Sequence, residues 1–403
     1  MSNAPYDPAA PRRTLAGATI LQIVPSLRDE PVARSAVNIA HVLLQAGARA
    51  LIAAESGPLV NEITSAGAEW IPMVTDTINP LRLRRNAQVI GRLIEAERID
   101  IVHAYEAAAA FSARLAAARV AVWLVTSAPD TPTAFSGLRG RLAAALAEGD
   151  RIIAPSNYAA QPLMQRYKTA AEQITIVPHA IDTATFDPAR IPAERADALR
   201  AAWRATPDDQ VILVPGRVAP WNGQALLPEI ARALVDDRCR GFVFVAAGEN
   251  TSHAAYAREL SEKAESLGVG AFVRLVGHCS DMPGAFAAAD FVAMPAIVAP
   301  LLGRAVALAQ AMSRPVVTSD VGMLPETVIA PPRMPEEVRT GWITRAGDVQ
   351  EMAQAIKLAL ALDAVSYNAM AARAREFADY MFSPESVAEA MRAVYTSLLA
   401  REL

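Results

Sequence analysis

The stretch PAIVAPLLGRAVALAQAMSRPVVTSDVGMLPE, residues 295–326, contains the clearest structural pattern in the chain. It follows a short apolar run, Phe291–Met294, continues through an alanine-rich segment and reaches a second apolar run, Pro315–Thr318. Short apolar runs that alternate with helical segments are typical of βαβ units in a parallel sheet with both faces covered. The stretch therefore predicts two parallel strands joined by a helical segment.

The same alternation extends over most of the 403 residues. A first series of candidate strands comprises Thr19–Val24, Ala50–Ala54, Glu69–Met73, Ile101–His103, Val122–Thr126, Arg151–Ala154 and Ile174–Val177, with helices such as Ala33–Gln45 and Leu81–Ala96 between them. A second series comprises Val211–Val214, Phe242–Ala246, Val273–Val276, Phe291–Met294 and Pro315–Thr318. The segment between the series loses strand character and carries Pro188 and Pro192, which predicts a linker near Asp187. Since the chain is too long for one core, we expect an α/β protein of two domains, each with a parallel sheet.

Composition excludes several functional classes. With 38 Lys and Arg against 42 Asp and Glu, the net charge of −4 gives no overall positive field for nucleic acid. Two cysteines, Cys239 and Cys279, are too few for a disulfide framework, and no Cys/His cluster has metal-ligand spacing, so we expect a cytoplasmic protein without a metal. No run of 18 apolar residues predicts a membrane span, and residues 1–18 are expected to be a flexible tail rather than a signal peptide.

A second motif, PGRVAPWNGQALL at residues 215–227, directly follows a candidate strand. A strand that ends in Gly-Arg and leads into a helix places a cation and backbone N–H groups at the carboxyl edge of a parallel sheet, where open α/β folds bind ligands. An alternative is that Gly216 and Gly223 only shape turns and that Arg217 pairs with a local carboxylate.

Both motifs resemble segments of glycosyltransferase family 4, and they occur in the family's order. Residues 295–326 resemble its donor-binding segment, Glu-x-Phe-Gly, Glu-Ala-x-Ala-x-Gly-x-Pro-Val-Val and Gly-Gly-x-Pro-Glu, in which the matching residues are Gly303, Arg304, Ala309, Pro315, Val316, Val317, Gly322, Pro325 and Glu326. The family's two glutamates fall on Pro300 and Leu308. Residues 215–227 resemble its diphosphate clamp, with Asn222 at the position of the family's lysine.

The resemblance implies the GT-B fold, two Rossmann-like domains that face each other across a cleft. It implies an acceptor-side domain at residues 19–186, a donor-nucleotide domain at 187–379 and a C-terminal helix at 380–403 that crosses back to the first domain. The implied donor-binding residues are Gly216, Arg217, Asn222, Gly223, His278, Gly303, Arg304 and Leu308. The implied residues near the cleft are Arg28, His103 and His179.

The first domain departs from the family in its first loop. The family's Gly-Gly pair is replaced by Arg28-Asp29-Glu30-Pro31, so two carboxylates and a proline stand where backbone amides would approach a phosphate. His103 and His179 are family-like, although each could equally be a hydrogen-bonded residue at the end of the sheet. His278 is a plausible contact of the base or ribose, or an exposed residue without a partner.

The resemblance implies retaining hexosyl transfer from a nucleotide-diphospho-sugar to a cell-surface glycan or lipid acceptor, with no cofactor and no metal. The replaced lysine, glutamates and Gly-Gly loop keep an alternative open, a catalytically silent homologue (a pseudoenzyme) that binds a nucleotide, a glycan or a partner. A relocated clamp is a further alternative, with Arg304 or Arg345 supplying the second positive charge.

The segment Asn79–Arg98 has the pattern of a basic amphipathic helix. Its arginines outnumber its glutamates and alternate with Leu and Ile side chains; they are Arg82, Arg84, Arg85 and Arg92. Because peripheral membrane helices share this pattern, we expect contact with an anionic membrane at its inner face. The alternative is an ordinary solvated helix that covers the sheet.

Overall fold

The computed structural model describes residues 14–28, 30–129, 137–299 and 303–401, which divide into two compact units. The first unit comprises Met1–Ala180 and Glu385–Leu403, and the second comprises Ile181–Pro384. The sequence predicted that the domains divide between residues 186 and 187 and between residues 379 and 380. The compact units divide between residues 180 and 181 and between residues 384 and 385. Within the expected tail, residues 1–13 lie outside the described part, whereas Leu15 is buried in the core of the first unit.

The first unit contains a sheet of seven parallel strands in the order β3-β2-β1-β4-β5-β6-β7. The strands are β1 (Thr19–Ser26), β2 (Arg49–Glu55), β3 (Glu69–Pro72), β4 (Ile101–Ala104), β5 (Trp123–Ser127), β6 (Arg151–Ala154) and β7 (Ile174–Ile176). The helices are α1 (Pro31–Gln45), α2 (Val60–Ser65), α3 (Pro80–Glu97), α4 (Ala107–Ala117), α5 (Gly137–Ala144) and α6 (Asn157–Tyr167), with 3-10 segments at Ala145–Glu148 and Ala171–Gln173. Each strand predicted for this half of the chain is confirmed.

The second unit contains a sheet of six parallel strands in the order β10-β9-β8-β11-β12-β13. The strands are β8 (Gln210–Pro215), β9 (Phe242–Ala247), β10 (Val273–Gly277), β11 (Phe291–Met294), β12 (Val316–Ser319) and β13 (Gly341–Thr344). The helices are α7 (Ala193–Ala202), α8 (Leu227–Asp236), α9 (Ala254–Ser266), α10 (Met282–Ala288), α11 (Arg304–Ala311), α12 (Val349–Leu360) and α13 (Ala364–Phe382), with 3-10 segments at Pro188–Arg190, Gln224–Leu226, Gly270–Phe272, Leu324–Glu326 and Glu336–Val338. The predicted strands of this half are confirmed, and β13 is a strand that the sequence pattern did not predict.

Apolar side chains on both faces of each sheet pack into a core, which explains why the central strands are mostly apolar. Every residue of β9 is buried, and the first six residues of β1 are buried as well. A last helix, α14 (Pro384–Leu399), packs on the first unit, where Tyr395 and Leu398 are fully buried. No single helix in the described part of the chain is both long and apolar enough to cross a membrane. The bent pair Val349–Leu360 and Ala364–Leu399 has the length and composition of a span only when its helices are taken together.

Each sheet has one point at which the strand order reverses, next to β1 in the first unit and next to β8 in the second. At β8 the chain continues to β9 on one side, and β11 pairs on the other. Open parallel sheets bind ligands beyond the carboxyl ends of their strands at this switch point. The loops after β8 and β11 are therefore the expected position of a ligand in the second unit.

Candidate functional site

The loops after β8 and β11 meet at the switch point of the second sheet. Gly223, in the loop after β8, has a φ of +79°, and a side chain there would overlap the carbonyl oxygen of Pro295, just after β11. Glycine is the residue that tolerates both this conformation and this close approach. Gly223 therefore brings the two loops together.

Three glycines follow neighbouring strands and form a row at the same edge. Gly216 follows β8, Gly248 follows β9 and Gly277 ends β10. Gly248 donates its N–H to the Gly277 carbonyl at 2.8 Å, and a side chain on Gly248 would overlap the Gly216 carbonyl. The row leaves the sheet edge without side chains, so a ligand can approach the backbone closely.

Arg217 stands beside this row with 60% of its side chain exposed. Its Nε lies 3.8 Å from a carboxylate oxygen of Glu249, in the loop after β9, so the local ion pair that the sequence left open as an alternative does occur. The pKa of Glu249 is lowered to about 2, chiefly by a hydrogen bond from the Thr251 hydroxyl and also by the Ser252 backbone N–H at 2.7 Å. Because the pair is long and exposed, an anionic ligand can recruit the Arg217 guanidinium.

Two side-chain amides hold the loop that carries Arg217. The Asn222 Nδ2 donates to the Arg217 carbonyl at 2.7 Å, and the Gln224 Nε2 donates to the same oxygen at 3.0 Å and to the Gly216 carbonyl at 3.4 Å. Gln224 is only 1% exposed. Sequence reasoning named Asn222 as a ligand contact and missed Gln224, although a glutamine between Gly223 and an apolar helix was a usable signal.

The start of α11 carries the other predicted donor residues. Gly303 has a φ of +52° and packs against the Met323 side chain, and Arg304 is exposed at the first position of the helix. Leu308 is 9% exposed and belongs to the apolar core. Pro300 lies outside the described residues.

The two arginines proposed as relocated cations have different surroundings. Arg345 pairs with Glu351 at 2.8 Å and with Asp348 at 2.9 Å. Arg304 has no ion pair within the described ranges. The pKa of Asp182 is lowered, because hydrogen bonds from Thr185 and the charge of Arg304 outweigh the opposite effect of partial burial. Arg304 is thus the arginine that is available to a ligand.

His278 is exposed in the loop after β10, directly after Gly277 at the end of the glycine row. No hydrogen bond to another described residue holds its ring. His278 is therefore an exposed residue at the end of the glycine row. In the same described ranges, no group of three His, Cys, Asp or Glu side chains has the arrangement of a metal site.

His103 is buried inside the first unit and has a hydrogen-bond partner at each ring nitrogen. Its Nδ1 lies 2.7 Å from the Tyr395 hydroxyl of α14, and its Nε2 lies 2.8 Å from the Ser127 hydroxyl of β5. Burial lowers its pKa to about 3, so the ring is neutral at physiological pH. This geometry is the sheet-end histidine that the sequence left open as an alternative.

The remaining first-unit candidates lie at loop positions. Arg28 is exposed in the loop after β1, and His179 is half-buried after β7. Glu30 precedes α1 without capping it, and Asp29 lies outside the described residues.

The α3 helix has an apolar face that packs on the first unit and a basic face in solvent. Leu83 and Ile90 are buried, whereas Leu81 is 75% exposed. Its four predicted arginines are all exposed. Most of the apolar stripe is therefore used inside the protein.

Two parts of the chain match known protein families. Residues 32–185 match "Glycosyltransferase Family 4", and residues 209–361 match "Glycosyl transferases group 1". The D-inositol 3-phosphate glycosyltransferase of Actinosynnema mirum is 32% identical over 45% of this chain and 44% of its own length. The lipopolysaccharide core biosynthesis mannosyltransferase LpsB of Rhizobium meliloti is 29% identical over 56% of this chain and 61% of its own length. The chain thus spans about half the length of the curated relatives it matches.

Solved glycosyltransferase structures share the fold over nearly the whole chain. A glycosyltransferase from Rickettsia africae has a TM-score of 0.78 at 22% identity and covers 96% of this chain and 100% of its own. Anabaena Alr3699/HepE in complex with UDP has a TM-score of 0.72 at 20% identity, with 94% and 100% covered. The two family matches follow each other along the chain as the two Rossmann-like units do, which confirms the resemblance predicted from residues 215–227 and 295–326. The chain belongs to glycosyltransferase family 4 and has the GT-B fold.

Proposed function

We propose that the second unit binds a nucleotide-diphospho-sugar and that the protein transfers its hexosyl group, with retention, to a glycan or lipid acceptor. The observation that carries this proposal is the side-chain-free row of Gly216, Gly248 and Gly277 with the exposed Arg217 beside it. An exposed guanidinium beside a sheet edge without side chains forms a site that a diphosphate can approach closely.

The chemistry of this site fits the departure of a diphosphate. As the bond to the sugar breaks, negative charge grows on the diphosphate, and Arg217 and Arg304 are cations that can stabilise it. Arg304 stands at the first turn of α11, whose N-terminus also favours anions. In this proposal, Arg217 and Arg304 take the place of the family's arginine and lysine.

The relatives support the same reaction class. Their names describe an inositol-phosphate glycosyltransferase and a mannosyltransferase, and HepE is described in complex with UDP and with UDP-glucose. We infer a nucleotide-sugar donor for this chain from these names and from the diphosphate site. Nothing in these comparisons favours the catalytically silent alternative.

The test is a panel of UDP-, GDP- and ADP-sugars that measures thermal stabilisation and released nucleotide. We expect Arg217→Ala to weaken nucleotide binding about 10- to 150-fold, because a charged hydrogen bond contributes ~1.5–3 kcal/mol. Turnover should fall about 100- to 1000-fold, the usual loss of one preorganised contact to the transition state. Arg345→Ala is the matched control and should change little, since Arg345 is exposed at the same sheet edge but already paired.

Three results would contradict parts of this proposal. Undiminished nucleotide binding in Arg217→Ala would show that the diphosphate does not bind at the glycine row. Stabilisation without released nucleotide would favour the silent alternative. No response to any nucleotide would favour a partner-binding role.

We further propose that the acceptor side contacts an anionic membrane through α3. The support is the exposed basic face of α3 together with Leu81 and Ile78, which are 75% and 55% exposed. Each arginine near an anionic surface contributes ~1 kcal/mol, so replacing Arg82, Arg84 and Arg85 by Gln should lower vesicle partitioning about 100-fold.

Flotation with vesicles of phosphatidylcholine and phosphatidylglycerol measures this partitioning. The control variant carries the same charge change at three exposed arginines of the second unit, Arg238, Arg258 and Arg333. If the native protein stays in the soluble fraction, or if both variants lose partitioning equally, α3 is an ordinary covering helix.

A further inference from the structure

Two side-chain contacts link the loops after β8 and β9, and the diphosphate site uses only one of them. The first is the ion pair between Arg217 and Glu249. The second joins Trp221 and His253, whose ring centroids lie 5.1 Å apart with an interplanar angle of 89°. The aromatic pair therefore joins the same two loops as the ion pair of the cation that we assign to the diphosphate.

Trp221 is exposed although its loop is held firmly. Its side chain is 46% exposed, whereas Trp203 and Trp342 are buried. The next two residues are fixed, Asn222 by its hydrogen bond to the Arg217 carbonyl and Gly223 by its packing against Pro295. A large apolar ring on such a loop is a preorganised surface, because it loses little conformational freedom when a ligand covers it.

The chemistry next to Trp221 indicates which ligand would cover it. In a nucleotide, one ribose separates the diphosphate from a planar base, so a diphosphate at Arg217 keeps its base within the neighbouring loops. Aromatic side chains stack on bases of any identity. The perpendicular contact with His253 covers at most one face of the indole, which leaves surface for a base.

We infer that Trp221 stacks on the nucleobase of the donor and that His253 holds the indole in position. The inference rests on the proposed donor site and adds a base-binding residue to it. Since stacking is insensitive to base identity, Trp221 contributes affinity for the nucleoside part and little choice among bases.

Calorimetry with UDP, GDP, ADP and inorganic pyrophosphate tests this assignment. In Trp221→Ala we expect the Kd of the best-bound nucleoside diphosphate to rise about 5- to 150-fold, while the Kd of pyrophosphate stays the same. Trp221→Phe should recover most of the affinity. Nucleotide binding should also change the tryptophan fluorescence of the native protein, and this change should be absent in Trp221→Phe. Tyr380→Ala removes an exposed aromatic side chain from α13 and is the control.

The possible outcomes separate this inference from the proposed function. If the native protein binds nucleotides and Trp221→Ala binds them equally well, the stacking role is wrong and the donor site stands. If Trp221→Ala loses as much affinity for pyrophosphate as for the nucleotide, Trp221 supports the loop and does not stack on the base. If the native protein binds none of the four probes, the donor site and the stacking role both fail.

Discussion

Neutral side chains hold the backbone of Arg217, whereas its guanidinium forms a long ion pair with Glu249. The Arg217 carbonyl oxygen accepts hydrogen bonds from Asn222 and Gln224, which fixes the peptide that presents the guanidinium. Asn222, which stands where the family has a lysine, therefore holds the loop in place in this chain. At this position an amide that holds the Arg217 backbone stands where the family has a positive charge.

We predict that Gln224→Leu weakens nucleoside diphosphate binding by up to about tenfold, because each lost hydrogen bond contributes ~0.5–1.5 kcal/mol and the loop becomes free to move. The matched control is Gln310→Leu on α11, a fully buried glutamine whose Nε2 donates to the Thr327 carbonyl instead. Both variants should lose stability, but only Gln224→Leu should lose affinity in calorimetry. Equal affinities would show that Gln224 does not position Arg217.

Among the secondary-structure elements, the sequence predicted those that depend on a local pattern of residues. The strands from β1 to β12 are short apolar runs bounded by polar or glycine residues, so each could be located from the sequence. β13 has four residues, begins with Gly341 and contains the polar Thr344, so its apolar run was too short to recognise. It was identified only by its pairing with β12.

The candidate site shows the same division between local and distant information. Gly216, Arg217 and Gly223 could be predicted because they follow one another on a single loop. Glu249 could not, because its contact with Arg217 arises from the pairing of β8 and β9 rather than from sequence proximity. The burial of Leu308 likewise arises from the packing of α11 against distant parts of the chain, so it could not be predicted from the sequence.

For the whole molecule, His103 links acid stability to the packing of α14 on the first sheet. Burial lowers its pKa from 6.5 to about 3, so the folded protein keeps the ring neutral while an unfolded chain binds a proton below pH 6.5. Between about pH 3 and pH 6.5 the unfolded state therefore holds more protons, and stability falls as the pH falls. From these pKa values, the contribution of His103 lost between pH 7.5 and pH 5 is about 2 kcal/mol.

We predict that His103→Gln is less stable than the native protein at pH 7.5, because the contacts to Tyr395 and Ser127 are disturbed, but that it loses about 2 kcal/mol less on going to pH 5. Urea unfolding at both pH values measures this difference, and the other titrating groups cancel between the two proteins. Trp70 and Trp123 report on the first unit, so a form in which the other tryptophans are replaced by Phe isolates its transition. His278→Gln is the control, because the His278 side chain is exposed and its replacement should leave the difference in stability between the two pH values unchanged. If His103→Gln loses as much stability as the native protein between pH 7.5 and pH 5, then His103 gains a proton in the folded state and its packing against α14 must be looser than the structure shows.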